Sequence, residues 1–368
     1  MIMIRVGVLY GGRSGEHDVS RCSAASVISY LDKTKYNVTA IGIDHDGRWH
    51  VQDSPEIVED KNFGSVLSLN NTGDWFVNHY EREGKLYLYN AKSNKEICVD
   101  VIFPVVHGTF CEDGTLQGLL ELAMVPYVGA DVIGSAIGMD KDVAKRLLRD
   151  AGIPVVDWIK ILKGQWDLTK KSLINEITDK IGFPCFIKPC NAGSSVGISK
   201  VKNFEFLEKA IDDAFQWDNK ILIEKGINAR EIEFSVIGND FPESSTPGEI
   251  RPRHEFYSYE AKYIDSNGAE LLIPADIDLE LTETMKQAAV AGFSALCCTG
   301  MARVDFFLDR ESNHFYLNEI NTLPGFTNIS MYPKLWEKSG VDYSSLLEKL
   351  IGLALERRKN KNRLRTDF

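Results

Sequence analysis

The side chains Asp305, Glu319 and Asn321 are spaced so that one face of a β-hairpin carries all three. Alternate residues of a strand point to opposite faces. Arg303 and Asp305 of ARVDFFLD therefore share one face, as do Glu319 and Asn321 of FYLNEIN. With RESNH (310–314) as the connecting loop, Asp309 pairs with Phe315, and the same register sets Asp305 opposite Glu319. Facing residues in an antiparallel pair have Cβ atoms about 4.5–5.5 Å apart, where like charges repel. Such a face calls for a cation. Oxygen ligands with one amide suit Mg2+, which completes its shell with water and nucleotide phosphates. The alternative is that Arg303 neutralises one carboxylate and the other faces solvent.

A second group of residues suits an anion. PCFIKPC is a strand carrying Lys188, followed by a Gly/Ser loop at 192–197. Gly193 and Gly197 let backbone N–H groups approach an anion, and Ser194 and Ser195 add hydroxyl donors. The order of residues is not that of a P-loop, and a Gly/Ser turn alone is an ordinary loop. A strand-borne lysine, however, needs an anionic partner. Glu16 stands where GGRSGEH opens a helix, a position the helix dipole favours for a carboxylate, so it either caps that helix or serves a site. His107 ends a strand without metal-ligand spacing, which argues against zinc and fits a structural role. HEFYSYEAKYIDS (254–266) is too polar for a core and too long for a tight turn; it reads as a lid over a site or as an exposed surface loop.

The elements that position these residues alternate between β and α. IRVGVLY (4–10) is a buried strand, 18–31 a helix, 38–44 and 99–108 strands, and 115–124 a short helix. A second unit opens with MDKDVAKRLLRDAGIP, in which Asp140 is the N-cap, Gly152 the C′ glycine and Pro154 the stop. Strands at PCFIKPC, VGISKV and KILIEKG flank a helix at 204–215. The third unit has a strand REIEFSVIG, a polar stretch from about 243 to 270, a helix over 279–296, the hairpin, and a last helix from Tyr343. The basic end ERRKNKNRLRTDF reads as a solvated helix terminus and tail.

Length predicts two or three domains in the 368 residues. Forty-two basic against 53 acidic residues give a net charge of −11, which argues against a nucleic-acid or anionic-membrane surface. An anionic substrate then needs a local patch of positive charge. No apolar run approaches the roughly 20 residues of a membrane helix. The opening MIMIRVGVLYGG fits a buried strand better than a signal peptide. Seven cysteines without C-x-x-C or His/Cys ligand spacing suggest reduced residues in a cytosolic protein.

Taken in order, GGRSGEHDVS, HGTFCEDGTLQG, PYVGADVIGSAIGMDK, FIKPCNAGSSVGISKV, ILIEKGINAREIE, YSYEAKY, ARVDFFL and FYLNEINTLPGFTNISMYP resemble the D-alanine–D-alanine ligases of the ATP-grasp superfamily, over nearly the whole chain. The resemblance implies an α/β, three-domain ATP-grasp architecture with an N-terminal Rossmann-like domain. The units fall near 1–129, 130–224 and 225–368, with ATP between the second and third. It implies phosphate contacts from Lys141, Lys188 and Ser195, adenine contacts from Glu224, Lys225 and Ile227, a ribose carboxylate at Glu231, and a lid lysine, Lys262, on the γ-phosphate. Asp305, Glu319 and Asn321 match ligands of two Mg2+ ions, for which Mn2+ is a possible substitute. Glu16 and His107 match the first D-alanine's site, Arg303 and the Gly325 backbone the oxyanion-stabilising groups, and Ser330 and Met331 the site of the second carboxylate. Ser194, Tyr263 and Glu16 match a hydrogen-bonded trio. Members often carry leucine where Ile227 and Met331 stand, a change of little consequence in size. Tyr263 favours D-alanine over D-lactate as acceptor, since ester-forming relatives often carry histidine in that lid.

The resemblance further implies a cytoplasmic homodimer formed through the first domain, feeding peptidoglycan synthesis. Three other readings compete: a ligase of the same superfamily with D-lactate, D-serine or another acceptor, a nucleotide-binding regulator without catalysis, and an NAD-dependent dehydrogenase. The absence of G-x-G-x-x-G spacing in the first turn counts against the last.

Overall fold

A computed structural model describes residues 3–82, 84–252 and 268–365. The expected lid over 254–266, with Lys262 and Tyr263, lies outside the described residues.

The first unit is built on β1 (Ile4–Gly11), whose residues from Val6 onward are all buried. It pairs in parallel with β2 (Tyr36–Ile43) and β9 (Val101–Pro104). A strand inside a parallel sheet is covered on both faces, hence its near-continuous apolar sequence. Helix α1 (His17–Tyr30) leaves the end of β1 through the glycine turn. The strand expected over 99–108 is interrupted at Asp100. There the Arg5 backbone N–H and guanidinium both donate to the Asp100 carboxylate, and the chain enters a different pairing. Between 45 and 98, where the sequence analysis names no element, the chain forms further strands. That span holds β3 (Trp49–Gln52), β4 (Ile57–Asp60), β5 (Gly64–Leu67), β6 (Trp75–Arg82), β7 (Lys85–Asn90) and β8 (Lys95–Val99). The seven-stranded sheet runs β8-β7-β6-β3-β2-β1-β9, and β4 and β5 form a separate hairpin.

Helices α2 (Thr115–Leu122), α3 (Val132–Met139) and α4 (Lys141–Asp150) follow. The Asp140 carboxylate accepts from the Val143 N–H at 3.1 Å, the expected N-cap, and Gly152 has φ +76° just past the helix end. A four-stranded antiparallel sheet then combines β10 (Trp158–Leu162), β11 (Cys185–Pro189), β12 (Ser199–Val201) and β13 (Lys220–Lys225) in the order β10-β13-β11-β12. It is backed by α5 (Lys163–Lys180) and α6 (Leu207–Ala214). The helix expected over 204–215 begins with a separate 3-10 turn at 204–206.

The last sheet runs β17-β16-β14-β18-β19, with β15 on β14. Its strands are β14 (Ala229–Gly238), β15 (Glu243–Ser244), β16 (Gly248–Pro252), β17 (Ala269–Leu272), β18 (Gly300–Asp309) and β19 (Phe315–Asn321). Part of the polar stretch from about 243 to 270 is therefore sheet. Helices α7 (Leu279–Ala295), α8 (Met331–Lys338) and α9 (Tyr343–Lys361) complete the chain.

Packing does not follow chain order. Val6, Val8 and Tyr10 of β1 share one core with Phe326, Tyr332 and Leu350 near the other end of the chain. The Arg357 guanidinium of α9 donates to the carbonyls of Gly129 and Tyr127 and to the Thr299 hydroxyl, and it lies 4.5 Å from the Tyr127 ring centre. Leu148 of α4 packs with Phe234 and Phe306 of the last sheet and with Phe293 of α7. The four-stranded sheet keeps its own core around Trp166, Ile187 and Ile223. Among the described residues no helix is long and apolar enough to cross a membrane.

Candidate active site

Between the sheets lies a cavity of about 1250 Å3. Most of the described residues singled out from the sequence line it, namely Glu16, His107, Lys141, Lys188, Ser194, Ser195, Glu224, Lys225, Ile227, Glu231, Arg303, Asp305, Glu319, Asn321, Gly325, Ser330 and Met331; Gly197 of the loop does not. Lys262 and Tyr263 are outside the described residues.

On the hairpin, Asp305 pairs with Glu319 as the register predicts, but by a different route. The loop end is one residue out of step, with Leu308 opposite Phe315, and a bulge between Asp305 and Phe306 absorbs the difference. The extra residue on β19 is Asn318, which strand alternation alone does not point to. Its amide oxygen lies 3.5 Å from the Lys188 ammonium. Glu233 of β14 also stands opposite Asp305, so three carboxylates lie in a row across β14, β18 and β19. Arg303 offsets part of this charge. Its Nε and Nη2 meet the two Asp305 oxygens at 2.8 and 2.7 Å, and Nε lies 3.1 Å from Glu233. Burial opposes the guanidinium charge, but Asp305 and Glu233 outweigh it and raise the pKa of Arg303 well above its ordinary value. The Asn321 amide donates to Asp305 at 3.0 Å. The alternative in which Arg303 neutralises a carboxylate is thus realised at Asp305. Among the described residues no three His, Cys, Asp or Glu side chains group as a metal site by themselves. Two carboxylates and an amide do fit a hard cation that takes its remaining ligands from phosphates.

The partner that Lys188 requires is Glu224. On adjacent strands β11 and β13, Phe186 faces Glu224 and Lys188 is the diagonal neighbour. The Lys188 ammonium donates to Glu224 at 3.0 Å, and Lys145 of α4 meets the other carboxylate oxygen at 3.0 Å. Burial pushes Glu224 up, yet the two ammonium groups win and hold it below the usual carboxylate range. Lys145 sits one helical turn after Lys141 but points into the protein, which a sequence rich in lysines does not reveal. The Lys141 ammonium donates to the Ala192 carbonyl at 2.7 Å, fastening the Gly/Ser loop to the start of α4.

That loop is strained: Ser194 and Ser195 have φ +47° and +61°, and Gly197 +70°. Left-handed non-glycine residues cost of order 1–3 kcal/mol each and persist where surrounding contacts hold them, often at functional sites. One such contact is the Ser194 hydroxyl donating to Glu16. Glu16 occupies the N-cap position of α1 but makes no side-chain capping hydrogen bond there, so the capping reading does not hold. His107 is buried between the Leu323 carbonyl at 3.1 Å and the Ser23 hydroxyl at 3.4 Å, and burial pushes its imidazole below the ordinary value. At Gly325 a Cβ would come within 2.8 Å of the Ser330 oxygen, so the turn before α8 admits no side chain without displacement. Ser330 itself accepts from the Thr327 N–H at 3.0 Å.

The arrangement combines a Gly/Ser loop, lysines and a carboxylate-rich hairpin around one cleft, which suits transfer of a phosphoryl group between bound partners. Comparison with known proteins points the same way. The sequence pattern of the D-ala D-ala ligase N-terminus matches residues 5–130, and that of the D-ala D-ala ligase C-terminus matches 147–352. The chain is 48% identical over 366 residues to a D-alanine–D-alanine ligase of Oceanobacillus iheyensis, covering 98% of each protein. Its fold is similar to that of the D-alanine-D-alanine ligase from Coxiella burnetii, with a TM-score of 0.80 and 35% identity over 98% of this chain and 96% of the other. It is also similar to the VanG D-Ala:D-Ser ligase from Enterococcus faecalis, with a TM-score of 0.82 and 34% identity over 96% of this chain and all of the other. The chain belongs to the D-alanine–D-alanine ligase family of ATP-dependent, ADP-forming enzymes.

Proposed function

We propose that the protein uses ATP to join two D-alanine molecules into D-alanyl-D-alanine through an acyl phosphate, for peptidoglycan precursors. The observation that carries this reading is the convergence on one cavity of the Gly/Ser loop, the lysines and the Asp305–Glu319 face. Glu224, Lys225 and Ile227 receive adenine, Glu231 the ribose, and Lys141, Lys188 and Ser195 the phosphates, with Lys262 and Tyr263 belonging to the lid. Asp305, Glu319 and Asn321 hold two Mg2+ ions, or Mn2+ in their place, which offset phosphate charge when bound.

Glu16 and His107 set the first D-alanine so that a carboxylate oxygen faces the γ-phosphorus. The new O–P bond forms as ADP leaves, giving an acyl phosphate. Ser330 and Met331 set the second D-alanine, whose amine attacks the activated carbonyl. The Arg303 guanidinium and the Gly325 N–H stabilise the oxyanion, each such donor commonly contributing about 3–4 kcal/mol. Phosphate then leaves and the peptide bond remains. The Ser194–Glu16 bond ties the loop to the first unit, and enclosure keeps water from the acyl phosphate. The protein works in the cytoplasm as a homodimer formed through its first unit; light scattering giving the mass of a single chain would refute the dimer.

Coupled ADP release, with products identified by mass, tests the reaction. D-alanine alone is expected to support turnover to the dipeptide and L-alanine is not. The likeness to a D-Ala:D-Ser ligase favours, as a second reading, D-serine as acceptor. Turnover with D-alanine plus D-serine or D-lactate, but not with D-alanine alone, would move the acceptor claim. No turnover with any of them would refute the reading.

A further inference from the structure

Glu112 belongs to the loop between β9 and α2 and lines the cavity. Its carboxylate accepts from the Gly108 N–H at 2.9 Å, the one hydrogen bond it makes among the described residues. That bond folds the His107–Glu112 loop back on itself and aims the carboxylate at the Gly/Ser loop. A Cβ at Gly193 would lie 3.7 Å from a Glu16 oxygen and 3.8 Å from a Glu112 oxygen, so the two carboxylates converge on the same point from different loops. The same Glu16 oxygen stands 3.2 Å from where a Cβ on Gly108 would be, which places it beside the loop that carries Glu112.

We propose that Glu112 is a second substrate-positioning carboxylate of the first D-alanine's site, receiving that substrate's ammonium together with Glu16. This rests on the reading of Glu16 given above. Arg303 of β18, the cation whose charge reaches Glu112, is already engaged by Asp305 and Glu233. A primary ammonium has three donors and one positive charge. Two carboxylate oxygens converging from neighbouring loops of the first unit match it, and an uncharged or anionic group in its place gains nothing from them. Burial first, and then the Glu16 charge, push the Glu112 carboxyl well above the usual carboxylate range, a preference that an ammonium between the two reverses. In effect the pair distinguishes an amino acid from a plain carboxylic acid before phosphate is transferred.

Isotope exchange within ATP reports acyl-phosphate formation from the first D-alanine alone, and propionate is the ammonium-free competitor. Glu112→Gln keeps an acceptor for the Gly108 N–H and removes only the charge. In that variant half-saturation by D-alanine is expected to rise roughly tenfold or more, with inhibition by propionate and half-saturation by ATP within about twofold of native. In Glu112→Asp, which keeps the charge, the ratio of D-alanine to propionate affinity is expected to stay near native; a collapse there too assigns the effect to loop geometry and overturns the proposal. An equal change for D-alanine and propionate in Glu112→Gln, or no change, also overturns it. Glu16→Gln separates the two levels of the argument. If it weakens D-alanine while Glu112→Gln does not, only this inference falls; if neither matters, the reading of the first substrate's site falls with it.

Discussion

Replacing Glu224 by glutamine removes one negative charge from a place where two ammonium groups meet it at 3.0 Å each. The side chains of Lys145 and Glu224 are 2% exposed and that of Lys188 is 9% exposed, so solvent screens little of the interaction. Glutamine keeps the shape but cannot offset two buried positive charges. Leaving a buried charge without its partner costs about 3–5 kcal/mol, a large share of the roughly 5–15 kcal/mol that holds a typical domain folded. Lys145→Met is a different perturbation. It removes an ammonium that burial itself disfavours, pushing its pKa below the ordinary value, and leaves Glu224 paired with Lys188. That loss is expected to be nearer 1–3 kcal/mol, roughly the cost of one broken charged contact. Urea unfolding followed by tryptophan fluorescence measures both, with Trp166 reporting from the core of the same unit.

The pH dependence gives a second check. The folded pKa of Glu224 is depressed, so its contribution is present above the unfolded carboxylate value near 4.3 and is lost as pH falls from there through the folded pKa. The gap between native protein and the glutamine variant should therefore be full at neutral pH and close in acid. A Lys145→Met loss as large as that of Glu224→Gln, or a gap that persists in acid, would refute the assignment of Glu224 as the charge that holds this corner together.

His107 is buried with its imidazole held down, so stability is expected to be full above about pH 6.5 and to decline as pH falls through that value toward the folded pKa. Unfolding free energies at pH 7.5 and 5.5, compared with those of His107→Asn, should show a smaller decline in the variant; equal declines would discard the idea. Gly325→Ala puts a methyl group 2.8 Å from the Ser330 oxygen. An overpacking cost of about 1–3 kcal/mol at the turn should raise half-saturation by the second D-alanine roughly tenfold. Unchanged D-alanine saturation curves would count against Ser330 as part of that site.

Local chemistry was legible wherever it depends on neighbours in the chain. The buried strand β1 and the Asp140 cap with Gly152 and Pro154 follow from short-range pattern, whereas Asp305 meets Glu319 only because a bulge offsets the one-residue difference at the loop. Of the strands from Trp49 to Val99, β3, β4 and β5 have only four residues each, too few for periodicity to show, whereas the turn residues Gly73 and Gly84 and the alternation of β7 were readable signals. The bulge at Asn318 was hidden, since loop length and strand register can compensate for one another.

By itself the sequence determined which kinds of groups were available and which of them had to share a face: the carboxylates of the hairpin, the lysines near the Gly/Ser loop, and a carboxylate at the start of α1. Only the tertiary structure decided which charges meet. It brought Lys145 to Glu224 across 79 residues of chain, Ser194 to Glu16 across 178, and Glu112 to the same point as Glu16. Periodicity sets the direction of a side chain relative to its own element, whereas these meetings depend on how elements pack. The core that β1 shares with α8 and α9 joins the two ends of the chain around the site, and that closure is a property of the whole fold.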